Sequence, residues 1–105
     1  MTTLTARLDA AATAERISPH DLLALTCDVF ATCGMSAGDA AIAAETAVYA
    51  QLRGSDSHGA IHLPLYVTGL LDKTIKSAPH FRMTGPLATT RVLDADNGLG
   101  LVAGR

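Results

Sequence analysis

The sequence predicts an α+β fragment: three N-terminal helices followed by a short β piece. Three observations carry that prediction. Two Ser-x-x-Asp starts, Ser18 to Asp21 and Ser36 to Asp39, each open an apolar run at helical spacing. Gly34 and Gly54 close those two runs. Beyond residue 80 the pattern becomes β-branched and partly alternating, then breaks at Asp96-Asn97-Gly98.

The first helix is predicted over 19–33. Ser18 caps it, Pro19 suits the first helical position, and Asp21 completes a capping-box pattern while opposing the helix dipole. Leu22, Leu25, Val29, Phe30 and Cys33 recur at three- and four-residue steps as one apolar stripe. The second helix, 37–53, offers Ile42, Ala43, Ala47, Val48, Tyr49 and Leu52 as contacts, and its many alanines let it approach neighbours closely. A two- or three-residue turn joins the pair as an αα-hairpin. "LPLYVTGLLDKTI" predicts a third helix over about 64–72, with Pro64 in the first turn, where a missing N–H does no harm. An extended piece at 80–84 and a strand at 88–96 give at most a two-stranded ribbon, which is marginal alone. "NGLGLVAGR" then starts a new apolar segment and stops without a cap, so the chain reads as cut. Residues 1–16 read as a flexible leader and 17–105 as one segment.

The whole chain of 105 residues is enough for one small domain. Only 4% of it is aromatic and there is no Trp, so the core must come from Leu, Val, Ile and Ala. The net charge of −2 and the scattered basic residues exclude a clustered basic face, and with it a nucleic-acid or anionic-membrane partner. No 18-residue apolar run exists to span a membrane, and the first sixteen residues lack the apolar stretch of a secretory signal. Cys27 and Cys33 match neither a CxxC nor a zinc spacing, so they are expected as small buried hydrophobes in a reduced, cytoplasmic protein.

The most polar stretch is "RGSDSHGAIHLPLY", residues 53–66. Gly54 and Gly59 bracket Ser55-Asp56-Ser57-His58 in the loop that enters the third helix. A cap from Asp56 or Ser57 would explain this loop with no chemistry at all. His58 offers more, because an imidazole exchanges protons near neutrality and a neighbouring Asp or Ser can fix its tautomer. On spacing alone both readings stay open, the capped turn being the commoner kind. His62 follows His58 by four, a spacing that can bind metal on a helix, but His20 and His80 are remote in sequence and no metal site is expected. Gly98-Leu99-Gly100-Leu101-Val102-Ala103 matches a dinucleotide pattern after a probable strand. The following helix and acidic residue that such a site needs are missing before Arg105, so a turn feeding a packed helix is expected.

Four runs, "GMSAGDA" at 34–40, "LRGSDSHG" at 52–59, "LPLY" at 63–66 and "DADNGLG" at 94–100, give the chain a family likeness. From about Ile17 to its end it resembles the N-terminal region of the malate/L-lactate dehydrogenase family of NAD(P)-dependent oxidoreductases. That family includes L-sulfolactate, ureidoglycolate and diketogulonate dehydrogenases and is unrelated to Rossmann-type enzymes of similar name. The resemblance implies the front end of that fold and hydride transfer between NAD or NADP and a 2-hydroxy or 2-oxo acid. It implies that His58 exchanges a proton with the substrate oxygen, and that Ser57 binds substrate or orients the imidazole. His62 stands where many members carry an arginine that grips the substrate carboxylate, and an imidazolium offers only one N–H at a time. Lys73 stands where a glycine is common. A homo-oligomer, most simply a homodimer, is expected. The cofactor-binding portion is expected beyond Arg105, so the isolated chain should be inactive and hold no cofactor of its own. The alternative is a non-enzymatic helical interaction module or a truncated remnant.

Overall fold

The structure, a computed structural model, describes residues 16–105, so the predicted leader lies outside the described residues except for Arg16. Helix α1 (Pro19–Thr32) begins where Ser18 Oγ accepts the backbone N–H of Asp21 at 3.1 Å. Helix α2 (Ala37–Leu52) repeats the contact, Asp39 N–H donating to Ser36 Oγ at 3.2 Å. Each such cap stabilises its helix by about 1 kcal/mol. Gly34 and Gly54 follow the helices at φ +101° and +76°, a left-handed region where a Cβ is costly. These local signals place both helices within a residue of prediction.

The helices form the expected hairpin, but the buried face of α1 is only partly the predicted one: Phe30 and Cys33 are on it and Leu25 is not. Thr26 and Phe30 are fully buried, Leu23, Cys27 and Cys33 pack against the core, and Leu25 is 54% exposed. The predicted stripe counted only apolar residues. Thr26 qualifies for the core because its hydroxyl donates to the Leu22 carbonyl at 2.7 Å, which removes most of the cost of burying it. On α2 the buried line is Ala40, Ala43, Ala44, Ala47 and Val48. Tyr49 and Leu52, predicted as contacts, are exposed, and the Arg53 guanidinium lies 4.6 Å from the centre of the Tyr49 ring. Both cysteines are free and half-buried.

Helix α3 (Leu63–Leu71) contributes Leu70 to the core and sets Tyr66 against Phe30, ring centres 6.3 Å apart. Gly69 lets Ile75 fold back across the helix: a Cβ there would lie 2.7 Å from Ile75 Cγ1. Lys73 then takes φ +69°, the left-handed conformation that explains why glycine suits this place.

Strands β1 (Arg82–Leu87) and β2 (Thr90–Asp94) pair antiparallel, Met83 opposite Leu93 and Thr84 opposite Val92. The first strand starts two residues later than predicted because Asp96 Oδ2 takes the His80 N–H at 3.0 Å, outside the ladder. It runs on to Leu87 through a register shift between Thr84 and Leu87, which accommodates Pro86 with its missing N–H. The second strand is shorter than predicted, since Ala88-Thr89 form the turn and Asp96 and Asn97 leave the ladder at φ +51° and +58°. The short helix α4 (Gly100–Ala103) returns to α2, with Leu99 and Val102 in the main core. The glycine pattern at 98–103 is thus a turn feeding a packed helix. No described helix is long and apolar enough to cross a membrane.

Candidate active site

Between α2 and α3 the chain makes two 3-10 turns, Asp56–His58 and Ala60–His62. Neither Asp56 nor Ser57 caps α3: His62 occupies the cap position and makes no side-chain cap bond. Both candidate caps are engaged elsewhere. The Asp56 carboxylate accepts from Gln51 Nε2 at 2.9 Å, and Ser57 Oγ lies 2.9 Å from His58 Nδ1. Neither residue therefore caps the third helix, while the turn and its exposed histidine are as the capped-turn reading expects.

Gln51 is the residue that sequence reasoning missed. From the last turn of α2 its Oε1 also accepts the Ala60 N–H at 3.1 Å. Gly59 is buried directly beneath it, where an added Cβ would strike the amide oxygen and lie 3.1 Å from Cδ. A lone glutamine ending an alanine-rich helix carries no motif, so nothing in the sequence marked it.

The structure brings the three predicted residues together. His58 is exposed and His62 half-buried, their rings 6.5 Å apart and edge-on. His62 in turn lies 6.1 Å from the Tyr66 ring, which leans on Phe30. Residues 58, 62 and 66 thus form a line of rings from solvent to core. The His58 ring is thus engaged by Ser57 on its Nδ1 side, and the ring as a whole is exposed. Among the described residues no three His, Cys, Asp or Glu side chains converge to hold a metal ion.

Two carboxylates away from this line have lowered pKa values. Thr74, through its hydroxyl and backbone N–H, holds Asp72 below the usual carboxylate range. Asp96 is lowered by Lys76 Nζ at 2.8 Å and then by the His80 N–H, bonds that also tie the ribbon to the segment after α3. Neither shapes the His58 site.

Residues 98–103 do not fit a nicotinamide dinucleotide. A Cβ on Gly98 would lie 2.6 Å from Pro79 Cγ, so its close approach is to protein and not to a pyrophosphate. Leu99 and Val102 are committed to the core, and α4 has only four residues.

A capped helical hairpin, a Ser–His turn leading into a third helix and a β-ribbon make up the N-terminal portion of a dehydrogenase fold. Residues 17–105 match the family described as malate/L-lactate dehydrogenase, and the chain belongs to that family. It is 35% identical over 89 residues to the L-sulfolactate dehydrogenase of Methanocaldococcus jannaschii, covering 85% of this chain and 26% of the relative. It is likewise 35% identical over 92 residues to the ureidoglycolate dehydrogenase (NAD(+)) of Escherichia coli, covering 86% and 26%. The solved malate dehydrogenase of Pyrococcus horikoshii superposes with a TM-score of 0.81 at 32% identity, over 86% of this chain and 26% of that one. The chain spans about a quarter of the length of the relatives it matches.

Proposed function

We propose that this chain supplies the proton-transfer side of an NAD(P)-dependent oxidoreductase that interconverts a 2-hydroxy acid and a 2-oxo acid. The observation that carries the reading is the 2.9 Å bond between Ser57 Oγ and His58 Nδ1. With Nδ1–H donating to the serine, neutral His58 presents a basic Nε2 to a substrate hydroxyl, and the imidazolium presents Nε2–H to a carbonyl oxygen. One ring orientation therefore serves both directions of the reaction. His62, adjacent and half-buried, binds the substrate carboxylate through a single N–H when protonated. The hydride belongs to a nicotinamide cofactor, NAD or NADP, and no step of this proton chemistry runs through it; the dehydrogenase names of the relatives, one of them carrying NAD(+), support that assignment.

The free thiols suit a reducing, cytoplasmic setting. The exposed Ile61, Leu65 and Leu71 suit burial in a homo-oligomer. The test of the catalytic reading is steady-state kinetics of an intact family enzyme carrying residues 17–105, on a panel of 2-oxo acids across pH. His58→Asn should lower kcat and kcat/KM together, by roughly 10²–10⁴-fold. His62→Arg restores a bidentate carboxylate partner and should mainly lower KM. A His58→Asn enzyme with unchanged kcat overturns the assignment.

A further inference from the structure

We propose that Gln51 is a positioning residue for His58: it clamps both flanks of the Ser57–His58 turn and keeps the Asp56 carboxylate away from the imidazole. The functional weight of this device rests on the reading of His58 as the proton carrier. Its geometry stands independently.

Before the turn, Gln51 Nε2 donates to Asp56 Oδ1 at 2.9 Å; after it, the Ala60 N–H donates to Gln51 Oε1 at 3.1 Å. The amide has one orientation here, because a carboxylate only accepts and a backbone N–H only donates. One side chain on the end of a helix thereby fixes both ends of the span 56–60. Gly59 completes the device, since any larger residue would push the amide off its seat.

The electrostatic consequence follows from what Asp56 is not doing. A carboxylate beside an imidazole favours the charged form and works against proton release. With Asp56 held by the amide, the hydrogen-bond partner of His58 is the neutral Ser57 hydroxyl, which accommodates either protonation state. The other titratable side chains near this end of the fold are Tyr49 and Arg53 at the end of α2, His62 on the second 3-10 turn and Tyr66 on α3. Arg53 is placed over the Tyr49 ring. Asp56 is the carboxylate that the turn itself carries, so the grip of Gln51 on it sets the local balance.

The experiment is an NMR titration of the ¹⁵N-labelled 105-residue chain, following the imidazole nitrogens and the Ala60 amide, with circular dichroism to confirm the helices. In Gln51→Leu the Ala60 amide should lose its exchange protection. The His58 midpoint should rise, by at most roughly half a unit, because the carboxylate, charged in both proteins, is freed to move closer to the imidazole. Adding Asp56→Asn to Gln51→Leu should return the midpoint to the wild-type value, which a merely structural role would not do. Gln51→Met, close to glutamine in size but with neither the amide donor nor its acceptor, should behave as Gln51→Leu does. Wild-type His58 signals in a folded Gln51→Leu chain overturn the proposal, as does a rise that Asp56→Asn fails to reverse. If Gln51→Leu does not fold, Gln51→Met decides by the same midpoint and the same Asp56→Asn reversal. These signals are read without turnover, so a failure here is separate from a failure of the His58→Asn kinetics.

Discussion

Phe30→Ala is the sharpest test of how this small core supports the site. Phe30 is fully buried and is the largest side chain in that state, sharing the core cluster with Met35, Leu70, Leu99, Val102 and three alanines, with the Tyr66 ring beside it. The alanines of that cluster carry only a methyl group, which cannot swing into the space it would leave. The cost should therefore sit within the roughly 3–5 kcal/mol range for Phe→Ala, with little relief from collapse. A chain with about 90 ordered residues holds on the order of 5–13 kcal/mol in total, so this one change removes a large share of it. Urea titration followed by far-ultraviolet circular dichroism measures the loss. At a slope of about 1 kcal/mol per molar, the midpoint should fall by roughly 3–5 M, leaving the variant close to unfolded in buffer. Phe30→Leu, which retains most of the volume, should lose about 1–1.5 kcal/mol. A Phe30→Ala chain that loses less than about 1 kcal/mol at an unchanged slope refutes the placement of this ring at the centre of the core.

Lys73→Gly should raise the melting temperature: relief of the left-handed strain, about 1–2 kcal/mol, exceeds the added chain entropy of roughly 0.5–1 kcal/mol. Gly59→Ala should disrupt the Gln51 bridge, and hydrogen exchange at the Ala60 amide should speed up while the α1–α2 hairpin stays protected. Ser36→Ala should lower stability by about 1 kcal/mol, read from a urea midpoint, through loss of the Asp39 N–H acceptor. Asp96 is held below the usual carboxylate range by Lys76 and then by the His80 N–H, so its contribution is present above its unfolded value and is lost as pH falls through the lowered folded one. Thermal melts at decreasing acid pH should show that loss, and Asp96→Asn should flatten this part of the slope.

Much of this architecture was legible because its signals are local. The serine caps and the following glycines act within four residues of where they sit, and they place α1 and α2 within one residue. The nearness of Ser57, His58 and His62 is local in the same way: two successive turns bring them together, with no distant strand required. What escaped depends on partners farther along the chain. Thr26 looks polar until its bond to the Leu22 carbonyl is known, so the face of α1 was placed with Leu25 on it and without Thr26. The start of β1 is set by Asp96, sixteen residues away from His80, and no local propensity encodes that. Gln51 acts across nine residues on a backbone N–H, a partner that every non-proline residue offers and that no motif can specify.

The two histidines owe their positions to different neighbours, and this separates their responses to mutation. His62 is the middle of a line of rings that ends on Phe30, so its environment depends on the core through Tyr66. His58 stands at the exposed end, and its turn is held from α2 by Gln51. A change in the core such as Phe30→Leu should therefore move the His62 signals more than those of His58. A change at Gln51 should do the reverse. Substrate grip and proton transfer, the roles proposed for His62 and His58 respectively, would thus be mounted on separate supports. A four-residue spacing keeps them adjacent, while the packing beneath one and the clamp beside the other let each be altered alone.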